Sequence, residues 1–175
     1  MLFRSRTFLD NALSAFSKAA LTYGERRLFS RSATALWHCG NLSHLLGAHA
    51  DSSREFQRSG ECYSSLENEM PRLSTHFHGL ASYMYAWSHV EEAHQAHARG
   101  ENAIASDHYR RAATMLEHSD RDYLYNNFLA WASLENADHL SRGEMLEKSS
   151  AAFQEASILF QIGRASCRER VYVLV

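Results

Sequence analysis

Apolar residues recur along this chain at spacings of three and four, the period that gathers them on one face of an α-helix. The pattern is clearest between Leu129 and Phe160. There Trp131, Leu134, Ala137 and Leu140 lead to Gly143, and Phe153, Ala156, Leu159 and Phe160 follow. A glycine at such a break suits a helix C-cap, so the stretch predicts two helices joined by a turn. Forty-four residues earlier, Trp87, Val90, Ala93 and Ala96 lead to Gly100 and then to Tyr109, Ala112 and Leu116. A weaker copy has Trp37, Gly40, Ser43 and Leu46 ahead of Phe56, Ser59 and Tyr63.

The second helix of each pair has its own signature: a large residue, a small one three later, and a large one seven later. Phe56-Ser59-Tyr63, Tyr109-Ala112-Leu116 and Phe153-Ala156-Phe160 follow it, and Phe16-Ala19-Tyr23 repeats it near the start with no first helix ahead. The small residue permits close helix approach, and the large ones fill the gap to the next hairpin. Read in order, the chain predicts seven helices. The first covers 7–23 and closes at Gly24, and the second covers 25–50. The third covers 51–69, with Asp51 as N-cap and Pro71 as stop. A fourth, over 74–99, is capped by Ser74. The fifth covers 102–117, the sixth runs to Gly143 after a capping pair of Ser119 and Asp122, and the seventh covers 144–161. No alternating strand pattern is present, and short connections imply antiparallel neighbours. The expected fold is all-α, built of stacked antiparallel hairpins.

The order Trp131, Leu134, Ser149, Phe153, Ala156 resembles that of the tetratricopeptide-like helical-hairpin superfamily, and Trp87, Val90, Tyr109, Ala112 follow it less completely. The likeness covers roughly residues 11–160. It departs from the family in its spacing of 44 to 50 residues between tryptophans, against about 34. Glu91 and His94, or Glu135 and Asp138, also stand where the family has Gly and Tyr. The resemblance implies a long-repeat α-solenoid fragment of about seven helices. It also implies a protein–protein interaction module whose first helices line a concave groove for an extended peptide or partner helix. Carried over by position, the groove residues are Ser88, Glu92 and Gln95, then Ala132, Asn136 and His139, with His38, Leu42 and Leu45 in the weak copy.

Both termini stand outside the pattern. Ile162 to Val171, IGRASCRERV, resembles the translation of a common sequencing adapter, and Met1 to Ser5, MLFRS, resembles the end of its partner. The expected organisation is therefore a non-native leader at 1–5, a repeat region at 6–161 and a non-native tail at 162–175. The repeat region would then be an arm of a longer protein, with truncated faces open to self-association.

Composition narrows the class. The chain has 175 residues, 45% hydrophobic and 22% charged with one proline, which suits one globular helical domain. The formal charge is −2; without the residues in the two terminal segments there remain 14 basic and 19 acidic side chains. A mildly acidic chain with no Lys/Arg stripe argues against nucleic acid as a partner. No apolar run reaches membrane-helix length. Cys39 and Cys62 show no ligand spacing and suit buried thiols of a reducing compartment, so the expected location is cytoplasmic.

Candidate chemistry is sparse. Glu91-x-x-His94, with His97 a turn on, has the spacing that carboxylate-bridged di-iron bundles place on one helix. A metal-binding helical-bundle enzyme centred on Glu91 and His94 is therefore the alternative function, although no other helix supplies a second Glu-x-x-His; Glu135-x-x-Asp138-His139 comes nearest. His76-x-His78 suits a strand rather than a helix. No Gly-x-Ser-x-Gly elbow, phosphate loop or Cys/His signature is present, and no cofactor is implied. The expected partner is a protein or peptide.

Overall fold

A computed structural model describes the backbone of residues 2–117, 119 and 121–173, and the side chains of 6–117, 119, 121 and 123–164. The proposed leader at 1–5 and tail at 162–175 fall largely outside the described side chains, as does the Asp122 side chain expected in a cap. Among the described residues the chain is all-α. Its helices are α1 (Leu2–Glu25), α2 (Phe29–Leu45), α3 (His49–Glu69), α4 (Ser74–Ala98), α5 (Asn102–Met115), α6 (Asp122–Arg142) and α7 (Leu146–Val173). A single 3₁₀ turn, Pro71–Leu73, precedes α4, where proline's missing N–H stops α3. No described helix is long and apolar enough to cross a membrane.

The chain divides into two compact units, Met1–Glu91 and Glu92–Val175. In the first, α2 packs against both α1 and α3. Its core joins Ala33, Phe56, Tyr63 and Leu66 to Phe77, Ala81 and Met84 of α4, with Trp37 and Trp87 half-buried at the edge. In the second, α6 packs against α5 and α7. Trp131 stacks on Tyr109 with centroids 6.2 Å apart and meets Phe160 edge-on at 5.4 Å.

Four helix ends share one joint. Arg27, Gly47, Gly100 and Glu144 each take a positive φ, of 56°, 75°, 75° and 58°. At each, the left-handed residue's N–H bonds the carbonyl three back, and the next N–H bonds the carbonyl five back from itself. The pairs are Arg27 to Gly24 with Leu28 to Tyr23, Gly47 to His44 with Ala48 to Ser43, Gly100 to His97 with Glu101 to Ala96, and Glu144 to Ser141 with Met145 to Leu140. This Schellman arrangement satisfies carbonyls that the helix end would otherwise leave bare.

Counting from the left-handed residue puts the hairpins in register. Seven positions before it stand Ala20, Gly40, Ala93 and Ala137; five after it stand Ser32, Ser52, Ala105 and Ser149; all eight are buried. In three joints the later serine donates its hydroxyl to the earlier residue's carbonyl: Ser32 to Ala20 at 2.9 Å, Ser52 to Gly40 at 2.8 Å and Ser149 to Ala137 at 2.9 Å. Small side chains on both sides let the backbones come this close. A Cβ on Gly40 would lie 2.8 Å from the Phe56 ring, so only glycine fits there. Phe56, Tyr109 and Phe153 all fall nine residues after the joint, as the large–small–large triplet requires.

The structure departs from the sequence expectations at several ends. Helix α3 begins at His49 rather than after Asp51, because Gly47 supplies the left-handed turn; Ser52 and Ser53 are then interior residues whose hydroxyls bond Gly40 and Ser88. Gly24 and Gly143 are not the left-handed residues; Arg27 and Glu144 are. Ser74 is the first helical residue of α4, with helical backbone angles, rather than its cap. Trp87 and Trp131 each precede their joint by thirteen residues, but Trp37 precedes Gly47 by ten, the register of Val90 and Leu134.

Candidate functional site: a buried carboxylate clasp

Two buried glutamates occupy the same register in successive hairpins. Glu91 lies nine residues before Gly100 and is 1% exposed; Glu135 lies nine before Glu144 and is 3% exposed. An ionised carboxylate withdrawn this far from water must be met by donors. In the first unit, His44 in the last turn of α2 places Nδ1 2.8 Å from Glu91 Oε1, and His49, the first residue of α3, places Nδ1 2.7 Å from Oε2. In the second unit, His97 in the last turn of α4 places Nδ1 2.7 Å from Glu135 Oε1, and Asn102, opening α5, donates Nδ2–H to Oε2 at 2.8 Å.

The pattern follows from the joint. His44 and His97 stand three residues before the left-handed glycine, and His49 and Asn102 two after it. The Schellman turn therefore folds both members of each pair toward one carboxylate of the next first helix. Charge-assisted bonds of this length are roughly twice as strong as neutral ones, so the clasp ties a helix–helix joint to the following helix.

Glu91 is the meeting point of the first clasp, and within its unit its imidazole partners are His44 and His49. Sequence spacing pointed to neither, since the three meet only through the turn at Gly47. His94 falls in the second unit, where its ring lies edge-on to Tyr109 with centroids 6.2 Å apart. His44, His49 and Glu91 belong to a group whose ligand-type atoms all lie within 4.8 Å of one another. Among the described residues that group holds a single carboxylate, whereas a carboxylate-bridged di-iron centre takes four, so these residues do not fit the di-iron pattern.

The positions carried over as groove residues divide. Ser88 is buried and its hydroxyl meets that of Ser53 at 3.0 Å; Ala132 is buried, and its carbonyl accepts from Ser106 at 2.7 Å. Both stand twelve residues before a joint, on the face that packs. Glu92 is half-buried and pairs with His108 at 3.0 Å, Gln95 and Asn136 are half-buried, and His139 is exposed. In the weak copy His38 stacks on Phe16 with centroids 4.7 Å apart, Leu42 is half-buried and Leu45 is exposed. Cys39 and Cys62 are free thiols, and burial pushes both above their usual pKa.

Compared with protein-family models, curated proteins and solved structures, the chain matches none.

Proposed function

We propose that the chain is a protein–protein interaction module, a tetratricopeptide-like repeat arm that presents polar first-helix residues to an extended peptide or partner helix. The observation that carries this reading is the repeated joint: one Schellman turn, one small-residue crossing and one clasp recur in register, which is the construction of repeat proteins. Such arrays use their side chains for recognition and their hairpins as scaffold. The residues offered in the second unit are Glu92, Gln95, Asn136 and His139, because Ser88 and Ala132 are taken up by packing. Amide and imidazole groups there suit hydrogen bonds to a partner's backbone, which give affinity with little demand on sequence. Exposed Phe153 and Ile158 on α7 and Phe8 and Leu21 on α1 add apolar surface for a protein partner or a second copy. Free thiols, Cys39 buried and Cys62 partly so, are in keeping with a cytoplasmic setting.

Selection of a random peptide display library against the full chain tests the proposal. Enriched peptides are expected to bind the wild type and to lose at least about tenfold in affinity to Gln95→Ala/Asn136→Ala, with the melting temperature of that variant unchanged. No enrichment, or peptides indifferent to the double substitution, would count against it.

A further inference from the structure

The two clasps form an internal comparison. Both hold a buried glutamate between a histidine before the joint and a donor after it, but the donor is His49 in the first unit and Asn102 in the second. Hydrogen bonding to the carboxylate asks only for an N–H, and Asn102 shows that an amide suffices. An imidazole adds something an amide lacks: a nitrogen lone pair that ligates a transition metal. The first unit therefore gathers two imidazole nitrogens and one carboxylate, the second only one of each.

We propose that His44, His49 and Glu91 form a binding site for a single divalent transition-metal ion of the zinc and cobalt class. Two histidines and a carboxylate are a donor set such ions accept, leaving a further position for water. The spacing is close to what coordination requires. The Nδ1 atoms lie 2.8 and 2.7 Å from the two carboxylate oxygens, and ligands at tetrahedral positions around zinc are about 3.3 Å apart, given metal–ligand bonds near 2.0–2.1 Å. The two nitrogens face different carboxylate oxygens, and the ligand-type atoms of the three residues all lie within 4.8 Å of one another. Rotation of imidazoles that are 44% and 29% exposed opens the space for an ion between them. The ion would displace any protons held on the two Nδ1 atoms and compensate the buried charge of Glu91 directly. His44 is 44% exposed, which leaves an entry path from solvent. Bound there, the ion joins the α2–α3 turn to α4 and makes a hydrogen-bonded clasp into a coordinated one. Peptide recognition by the repeat arm neither requires nor excludes this ion.

The test is a titration of the full, chelator-stripped chain with cobalt(II) chloride, followed by visible absorption, with zinc chloride in competition. The expected result is one equivalent bound with the intense bands of a four- or five-coordinate ion, bleached by zinc. His49→Asn copies the second unit's arrangement, so its hydrogen bond and helix content are retained, while its cobalt affinity falls at least about tenfold to a hundredfold. His97→Asn leaves the titration unchanged. If His49→Asn loses helicity, His44→Ala, at the more exposed ligand, is read by the same criterion. Weak, unsaturable absorption in the wild type, or equal affinity in the wild type and the folded ligand variant, would overturn the proposal.

Discussion

At the scale of single residues, backbone conformation decides more than side-chain identity. Gly47 and Gly100 lie at φ +75°, where an L side chain crowds its own carbonyl, while Arg27 and Glu144 take the same region at a cost. Opposite outcomes follow for two substitutions. Gly100→Ala is expected to destabilise by about 1–2 kcal/mol, whereas Glu144→Gly is expected to stabilise by up to about 1 kcal/mol, both read from urea unfolding midpoints. The rule that helices close at glycine found Gly100 in the sequence but chose Gly24 and Gly143 over their non-glycine neighbours. Nothing in composition marks Arg27 or Glu144 as left-handed; the returning helix imposes it. The thiols supply a pH-dependent prediction. Burial raises Cys39 and Cys62 above the ordinary 9.0, so the unfolded chain holds fewer protons than the native one once pH passes that value. Their contribution is flat below about pH 8 and falls as pH rises through 9 and beyond. The Cys39→Ala/Cys62→Ala variant should therefore lose less stability than the wild type between about pH 8 and pH 10.5, measured by urea unfolding.

At the scale of the helix pair, the crossing point sets the rules. The small-residue pair seven before and five after the joint holds three serine-to-carbonyl bonds, and only Ala105 lacks the hydroxyl. Ala105→Ser is expected to be accepted within about 0.5 kcal/mol, since the same position bonds a carbonyl in the other three hairpins. Ala105→Leu should cost about 1–3 kcal/mol by overpacking; thermal unfolding of the two variants separates them. Much of this was legible from the chain, because close crossings need small residues and spacing of three and four exposes them. The large–small–large triplets of α3, α5 and α7 fall in one register, as read. The equivalence of Trp37 with Trp87 and Trp131 was not legible correctly, since a one-turn slip preserves helical periodicity and only the joint reveals it. Helix α3 was misplaced for a related reason. Asp51, Ser52 and Ser53 look like cap residues, yet two of them bury their hydroxyls against neighbouring helices.

At the scale of the whole molecule, among the described residues a buried carboxylate clasp recurs in each unit, at Glu91 and at Glu135. Asn102→Ala leaves the buried Glu135 short of a donor and should cost about 1–3 kcal/mol in guanidinium unfolding. His97→Ala should cost less, because its ring is 59% exposed and water can take its place. The sequence displayed Glu91 and Glu135 four residues after their tryptophans, but their partners lie across a turn, beyond the reach of any helical spacing. Four joints of one kind set the register of the hairpins. The most direct measurement is φ at residues 27, 47, 100 and 144, from backbone chemical shifts and amide–Hα couplings of the isotopically labelled chain. Positive φ at all four is the predicted result. Helical shifts running unbroken through Gly47, or negative φ at Arg27 and Glu144, would contradict the shared joint and the register built on it.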